Sequence, residues 1–125
     1  EHKVLVHPAS ADSIPTSANQ EDHVSMGSIA ARHARTVLEG VERIIGIELV
    51  LAAQALDMRR AAMASAGADP PPAPGAGVAE AHRRIRQRVA HLDADREPGA
   101  DLASAFDLVS TGALVDLTRG ADRQG

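Results

Sequence analysis

The sequence predicts an all-α protein, and three observations support this prediction. Apolar residues recur at steps of three and four from residue 37 to residue 56, which is the period of a helix with a buried face. A second apolar stripe of the same period runs from Val78 to Leu92, among arginines. No stretch alternates apolar and polar residues as a strand does. We therefore expect a helical bundle preceded by an irregular N-terminal segment.

The N-terminal segment, residues 1–20, is rich in proline and small polar residues, which favour extended or loop structure. Ser17 and Gln20 form an S-x-x-Q pattern, the signature of a capping box, and Glu21 and Asp22 follow where a helix dipole favours acids. These residues predict that a helix starts between residues 18 and 22. The whole chain is then divided as one partial domain into a loop segment 1–20, long core helices 21–66, a Pro/Gly-rich loop 67–77 and C-terminal helices 78–120.

The centre of the long helical region, IIGIELVLAAQAL at 44–56, is apolar on almost every side. It is too short to cross a bilayer, which takes ~20 residues. We expect it to be buried on all sides in a multi-helix, multi-subunit bundle, with Gly40 and Gly46 as points where the helix could bend. Glu48 within it should pair with an arginine or a backbone N–H, because a buried acid needs a partner.

The C-terminal region starts after GADPPPAPGAG, 67–77, whose prolines end the long helix and predict a loop without regular hydrogen bonds. We expect an amphipathic helix over 78–92, a turn at 93–99 and a last helix over 101–118 that Gly112 interrupts. The arginines of the first of these helices lie mostly off its apolar stripe, as a solvated or salt-bridged face would: Arg83, Arg84, Arg86 and Arg88.

Composition excludes several function classes. The net charge is −4 and no broad basic field is present, so we expect neither nucleic acid nor a membrane as partner. There is no Cys and no signal-peptide pattern, which fits a cytoplasmic location. The six histidines have no ligand spacing, so no metal site is predicted. One Phe, with no Tyr or Trp, gives little core burial, and we expect the chain to bury surface against other polypeptide.

The stretch IPTSANQEDHVSMG, residues 14–27, contains more polar groups than a helix cap requires. It places amides, acids and an imidazole at a loop-to-helix junction, where free backbone N–H groups are also found. From these residues alone two interpretations stay open: the polar front end of a helix, or part of an active site.

HPASADSIPTSANQEDHVSMGSIAARHAR, together with IELVLAAQALDMR further on, resembles the C-terminal half of histidine ammonia-lyases. These belong to the aromatic amino-acid lyases, which share the methylidene-imidazolone (MIO) electrophile. The resemblance is close from Glu1 to about Arg60 and looser over 78–118. His33 and Ala11 depart from the family pattern, where Lys and Val are more usual.

The resemblance implies non-oxidative deamination of L-histidine to trans-urocanate and ammonia, in a cytoplasmic homotetramer. It implies that Glu21 is the catalytic acid facing the substrate imidazole, where a carboxylate can hydrogen-bond the ring or exchange a proton with it. Gln20 would lie in the hydrogen-bond network around the electrophile, and Asn19 and Thr16 would flank the same pocket. Asp22 and His23 are explained by roles at the start of the helix and are not assigned to the pocket.

Two expected groups are absent from the sequence. MIO forms from Ala-Ser-Gly, which does not occur here, the nearest string being ASAG at 64–67, and the family's catalytic base is a tyrosine, of which there is none. We therefore expect this chain alone to be inactive and to need a missing N-terminal part of the same enzyme. Two alternatives remain: a lyase or aminomutase acting on another aromatic amino acid, which Glu21 disfavours because a carboxylate beside a phenyl ring lacks a partner, and a truncated, non-catalytic helical interaction module.

Overall fold

The computed structural model describes residues 2–9, 18 and 24–119, and the structural statements below concern these residues. They form helices and no strand, which confirms the predicted fold class. The chain divides into two compact units, Glu1–Val41 and Glu42–Gly125. In chain order the helices are α1 (His2–Leu5), α2 (Gly27–Ser65), α3 (Ala76–Arg86), α4 (Gly99–Ser110) and α5 (Asp116–Arg119).

Helix α2 begins later than the sequence predicts. Residues 24–26 are not helical. The Ser25 hydroxyl accepts a hydrogen bond from the Gly27 N–H at 3.3 Å, and the Met26 carbonyl accepts from Ile29 and Ala30. The first turn is thus closed by Ser25 and Met26, and the predicted start between residues 18 and 22 is wrong for this helix. The predicted capping box lies outside the described residues.

Helix α2 then runs without a break for 39 residues, through both Gly40 and Gly46. Gly46 is buried because α4 passes against it: a Cβ at this position would lie 3.2 Å from the backbone nitrogen of Phe106. The glycine therefore permits close helix packing instead of bending the helix. The predicted end is confirmed, since the chain turns at Gly67, with φ of 93°, and continues as irregular structure to Gly75.

The core of the second unit is small and aliphatic. Ala53 of α2, Ile85 of α3, Val89 just after α3 and Leu108 of α4 pack together, each 3% exposed or less. Around this centre lie partly buried apolar residues from α2 and from the turn after α4: Leu49, Val50 and Ala113. Three helices and one connecting segment thus share a single apolar contact region.

The apolar centre of α2 is not enclosed within the single chain. Ile44 is 49% exposed, Ile47 43% and Leu51 63%. Glu48 is exposed as well, and it makes no ion pair or hydrogen bond within the described part of the chain. The burial expected within a multi-subunit bundle and the partner expected for Glu48 therefore stay predictions, since the described residues of this chain supply neither.

Helix α3 ends at Arg86, not at residue 92 as predicted. The carbonyls beyond it are satisfied by side chains: Arg86 donates to Val89 and Ala90, and Arg96 donates to Ala90 and His91. Because these bonds replace helical ones, the segment 87–98 can leave the helix axis and cross α2.

The predicted last helix is interrupted where expected. Helix α4 ends at Ser110, Gly112 adopts a positive φ of 70°, and the four-residue α5 follows. Gly112 suits this left-handed position because it has no Cβ. No helix in the described part of the chain is long and apolar enough to cross a membrane.

Candidate functional site

The predicted site residues Thr16, Asn19, Gln20 and Glu21 lie outside the residues that the structure describes, as do Asp22 and His23. Their roles therefore stay predictions. One residue between them is described: Ala18 has φ of 54°. This left-handed conformation costs a residue with a Cβ roughly 1–2 kcal/mol, and such strain is found disproportionately at ligand and active sites.

The first unit contains an apolar groove of about 470 Å³. One wall comes from α1 and the residues after it, and the other from the first turns of α2. Among its described lining residues, His7 and His33 bring the ionisable groups. The described residues that line it are Leu5, Val6, His7, Pro8, Ala9, Ala30, His33, Ala34, Val37, Leu38 and Val41.

The second unit contains a polar network centred on Asp57 of α2. One carboxylate oxygen lies 2.7 Å from His82 Nε2, and the other accepts from Arg86 Nε at 2.8 Å. Burial raises the pKa of Asp57, but the hydrogen bond from Arg86 and the charges of His82 and Arg86 outweigh it and hold the pKa below its usual value. Asp57 is thus an ionised link between α2 and α3.

Gln54, one turn earlier on α2, extends this network to the segment after α3. Its amide oxygen accepts from the Leu92 N–H at 3.0 Å and from Arg86 Nη2 at 3.1 Å. Its amide nitrogen lies 3.1 Å from both the Leu92 carbonyl and His91 Nε2. Gln54 was not among the predicted site residues, although an amide within an apolar helix was a signal that it needed a buried partner.

The arginines of α3 are all paired, which confirms the salt-bridged face. Glu80 accepts from both Arg83 and Arg84, and these two hydrogen bonds, Arg83 first, lower the pKa of Glu80 to about 2. Arg84 also forms a two-bond pair with Asp116, at 2.6 and 2.8 Å. Just beyond the helix, Arg88 pairs with the carboxylate of Asp107.

Neither ionisable cluster of the second unit offers an open ligand set. Among residues 2–9, 18 and 24–119, no group of three or more His, Cys, Asp or Glu side chains is placed to hold a metal ion. His82 and His91 each contact a carboxylate or an amide of their own unit. This network can position helices, but it contains no nucleophile with a neighbouring base.

Comparison with known proteins relates the chain to one family. The family model for aromatic amino acid lyase matches residues 1–87, which include the predicted site, α2 and α3. A histidine ammonia-lyase of Anaeromyxobacter sp. (strain K) is 51% identical over 91% of this chain, and one of Natranaerobius thermophilus is 47% identical over 92%. The chain spans about a fifth of the length of each relative, 20% and 21%.

Solved structures agree. The crystal structure of histidine ammonia-lyase from Trypanosoma cruzi superposes with a TM-score of 0.82 at 39% identity, over 94% of this chain and 22% of that one. A tyrosine aminomutase from Streptomyces globisporus gives a TM-score of 0.72 at 32% identity, over 88% of this chain and 19% of that one.

Proposed function

The chain belongs to the aromatic amino acid lyase family, and we propose that it forms the C-terminal part of a histidine ammonia-lyase. The proposed reaction is the deamination of L-histidine to trans-urocanate and ammonia. The observation that carries the proposal is the identity of 47–51% to relatives named histidine ammonia-lyase, over more than nine tenths of the chain.

The choice of substrate rests on Glu21. A carboxylate can hydrogen-bond the imidazole of histidine, whereas beside a phenyl or phenol ring it would lose water without gaining an equal partner. Gln20 would belong to the network around the electrophile, with Asn19 and Thr16 at the edge of the pocket. The left-handed backbone of Ala18 supports a functional turn between these residues.

The electrophile of the family cannot form within this sequence. It requires Ala-Ser-Gly, and the nearest string, Ala64 to Gly67, has an extra Ala between Ser65 and Gly67 and forms the C-terminal turn of α2. The residues present therefore do not fit the group, and the chain contains no Tyr that could act as base. We propose that both come from polypeptide outside these 125 residues, and that this chain alone is inactive.

The exposed apolar centre of α2 supports assembly with further polypeptide. Side chains such as Leu51, 63% exposed, form a surface that water solvates poorly. We propose that the remainder of the enzyme and neighbouring subunits of a cytoplasmic homotetramer cover it. The large share of each relative that this chain does not span is consistent with that arrangement.

The proposal is tested in the full-length enzyme that contains this sequence. Glu21→Gln should lower kcat/KM for urocanate formation by roughly 10²-fold or more, the usual contribution of a group that handles a proton in the transition state. Glu39→Gln is the matched control, because Glu39 lies on α2, is 48% exposed and, among the residues that the structure describes, forms an ion pair with Arg35. Turnover unchanged by Glu21→Gln, measured by urocanate absorbance, would contradict the assignment of Glu21.

The tyrosine aminomutase similarity gives a second candidate, and substrate choice separates the two. We expect the full-length enzyme to deaminate L-histidine and to leave L-tyrosine unchanged. Conversion of L-tyrosine to a β-amino acid or to coumarate, with no urocanate formed, would replace the first proposal by the second.

A further inference from the structure

The carboxamide of Gln54 has only one possible orientation. Its oxygen faces two groups that can only donate, the Leu92 N–H at 3.0 Å and the Arg86 guanidinium at 3.1 Å. Its nitrogen faces the Leu92 carbonyl, which can only accept, at 3.1 Å. If the amide were turned over, its nitrogen would face two donors and its oxygen would face an acceptor, so all three hydrogen bonds would be lost. Gln54 Nε2 is therefore the donor.

This orientation determines the protonation of His91. The second hydrogen of Gln54 Nε2 points to His91 Nε2, 3.1 Å away, which must therefore accept and carry no proton. The single ring proton then lies on Nδ1, where it is donated to the Asp93 carboxylate at 3.0 Å. His91 is thus a neutral imidazole of defined tautomer, because Gln54 and Asp93 require it from opposite sides of the ring.

We propose that Gln54, His91 and Leu92 form a proton-sensitive latch that holds the segment 87–98 against α2. A second proton on His91 would be carried by Nε2. This nitrogen would then be a donor facing the donor nitrogen of Gln54, and the hydrogen bond between them would be lost. Because Gln54 cannot turn over, the contact between His91 and Gln54 must then open. The latch is closed with neutral His91 and loosened when His91 is charged.

Charged groups from each neighbouring element surround this imidazole. Asp93, on the same segment, favours a positive ring, but it is 89% exposed and therefore well screened by water. Two guanidinium groups disfavour an added positive charge on the ring. Arg86 pairs with Asp57 of α2, and Arg96 pairs with Asp101 of α4 and donates to the His91 carbonyl.

The latch covers a cavity of about 270 Å³ between α2, α4 and the segment. Apolar side chains of α2 and α4 form much of its wall, including Ile47, Leu51 and Leu102. Opening would remove the side of the cavity that the segment supplies, so protonation of one partly buried histidine is linked to the shape of this cavity. Asp95, at the rim, is the remaining acid that lines the cavity besides Asp101.

His82 provides an internal reference in the same network. Its Nε2 lies 2.7 Å from a carboxylate oxygen of Asp57, which can only accept, so His82 carries its proton on Nε2. A second proton would go to Nδ1 and leave this contact intact. In their neutral forms the two histidines should therefore show opposite tautomers, and a second proton should have opposite effects on their contacts.

The test is long-range ¹H–¹⁵N NMR of the imidazoles in the 125-residue chain, with His82→Gln and His91→Gln used for assignment. We expect His91 as the Nδ1–H tautomer and His82 as the Nε2–H tautomer. Hydrogen-exchange protection of the Leu92 amide should fall as His91 becomes charged. Two results would overturn the proposal: an Nε2–H tautomer for neutral His91, or hydrogen-exchange protection of the Leu92 amide that does not change when His91 becomes charged.

Gln54→Glu is the diagnostic variant. Its carboxylate still accepts from the Leu92 N–H and from Arg86, but its second oxygen loses the bond to the Leu92 carbonyl and requires a proton on His91 Nε2. We expect the charged form of His91 to persist to higher pH in this variant than in the parent chain, because an added neighbouring carboxylate favours a positive ring. The His82 signals report whether the variant keeps its fold. An unchanged His91 midpoint with His82 unaltered would contradict the latch.

Discussion

Gly46→Ala tests how closely α4 packs on α2. A Cβ at this position would lie 3.2 Å from the Phe106 nitrogen and 3.4 Å from both the Ala105 carbonyl carbon and the Phe106 Cα. These are backbone atoms, so no side chain can rotate away and α4 itself must shift. The contact is shorter than an ordinary van der Waals distance by a few tenths of an ångström.

Two opposing contributions set the size of the effect. Replacing a helical glycine by alanine stabilises the helix by about 1 kcal/mol. Overpacking in a close contact costs about 1–3 kcal/mol, and here the displaced group is a helix backbone. We therefore expect Gly46→Ala to lower the free energy of unfolding by about 1 kcal/mol, which corresponds to a fall in Tm of roughly 4 °C for a chain of this size.

Gly77→Ala is the control, because Gly77 lies in α3 and a Cβ there would meet nothing within 4 Å. This variant should gain stability, by up to about 1 kcal/mol, since only the helix preference changes. Urea unfolding followed by circular dichroism measures both variants. If Gly46→Ala is as stable as Gly77→Ala, the close approach of α4 to Gly46 is wrong.

Two further predictions concern the core and the charged face. Val89→Ala should lower the free energy of unfolding by about 2–3 kcal/mol, because Val89 is 1% exposed. Val78→Ala, at a position that is 56% exposed, should lower it by less than about 0.5 kcal/mol. Comparable urea midpoints for the two variants would refute this core. Glu80 has a pKa of about 2 in the folded chain against 4.5 ordinarily, so its ion pairs stabilise the fold above pH 4.5 and are lost as the pH falls toward 2. Glu80→Gln should remove that part of the acid dependence, and unfolding curves that keep an unchanged slope with pH in this window would count against the pairs.

The sequence predicts helix ends where the signal is local. The prolines after Gly67 end α2, and Gly112 ends α4, because each residue limits or permits a backbone conformation by its own chemistry. The end of α3 was not predictable in this way. Val89 and Leu92 keep helical spacing, but the amide of Gln54, 38 residues away from Leu92, takes the backbone bonds that a longer helix would need.

Burial was harder to predict than helical structure. The apolar centre of α2 led to an expectation of burial on all sides within a multi-subunit bundle, and within the described part of this chain Ile85 and Leu108 pack against one face of the helix. Periodicity shows which residues avoid water, but not whether the same polypeptide covers them. The candidate site was identified from the run of residues 16–23 and their resemblance to a family, and the described structure adds only the backbone of Ala18 at this point.

Besides Glu80 within α3, the carboxylates that pair with the arginines of α3 and of the turn after it belong to three different helices. Arg84 reaches α5 through Asp116, Arg86 reaches α2 through Asp57, and Arg88 reaches α4 through Asp107. These acids differ in exposure, 65% for Asp116, 52% for Asp107 and 24% for Asp57. Dissolved salt weakens water-facing pairs most, so rising ionic strength weakens the pairs with Asp116 and Asp107 before the pair with Asp57 of α2.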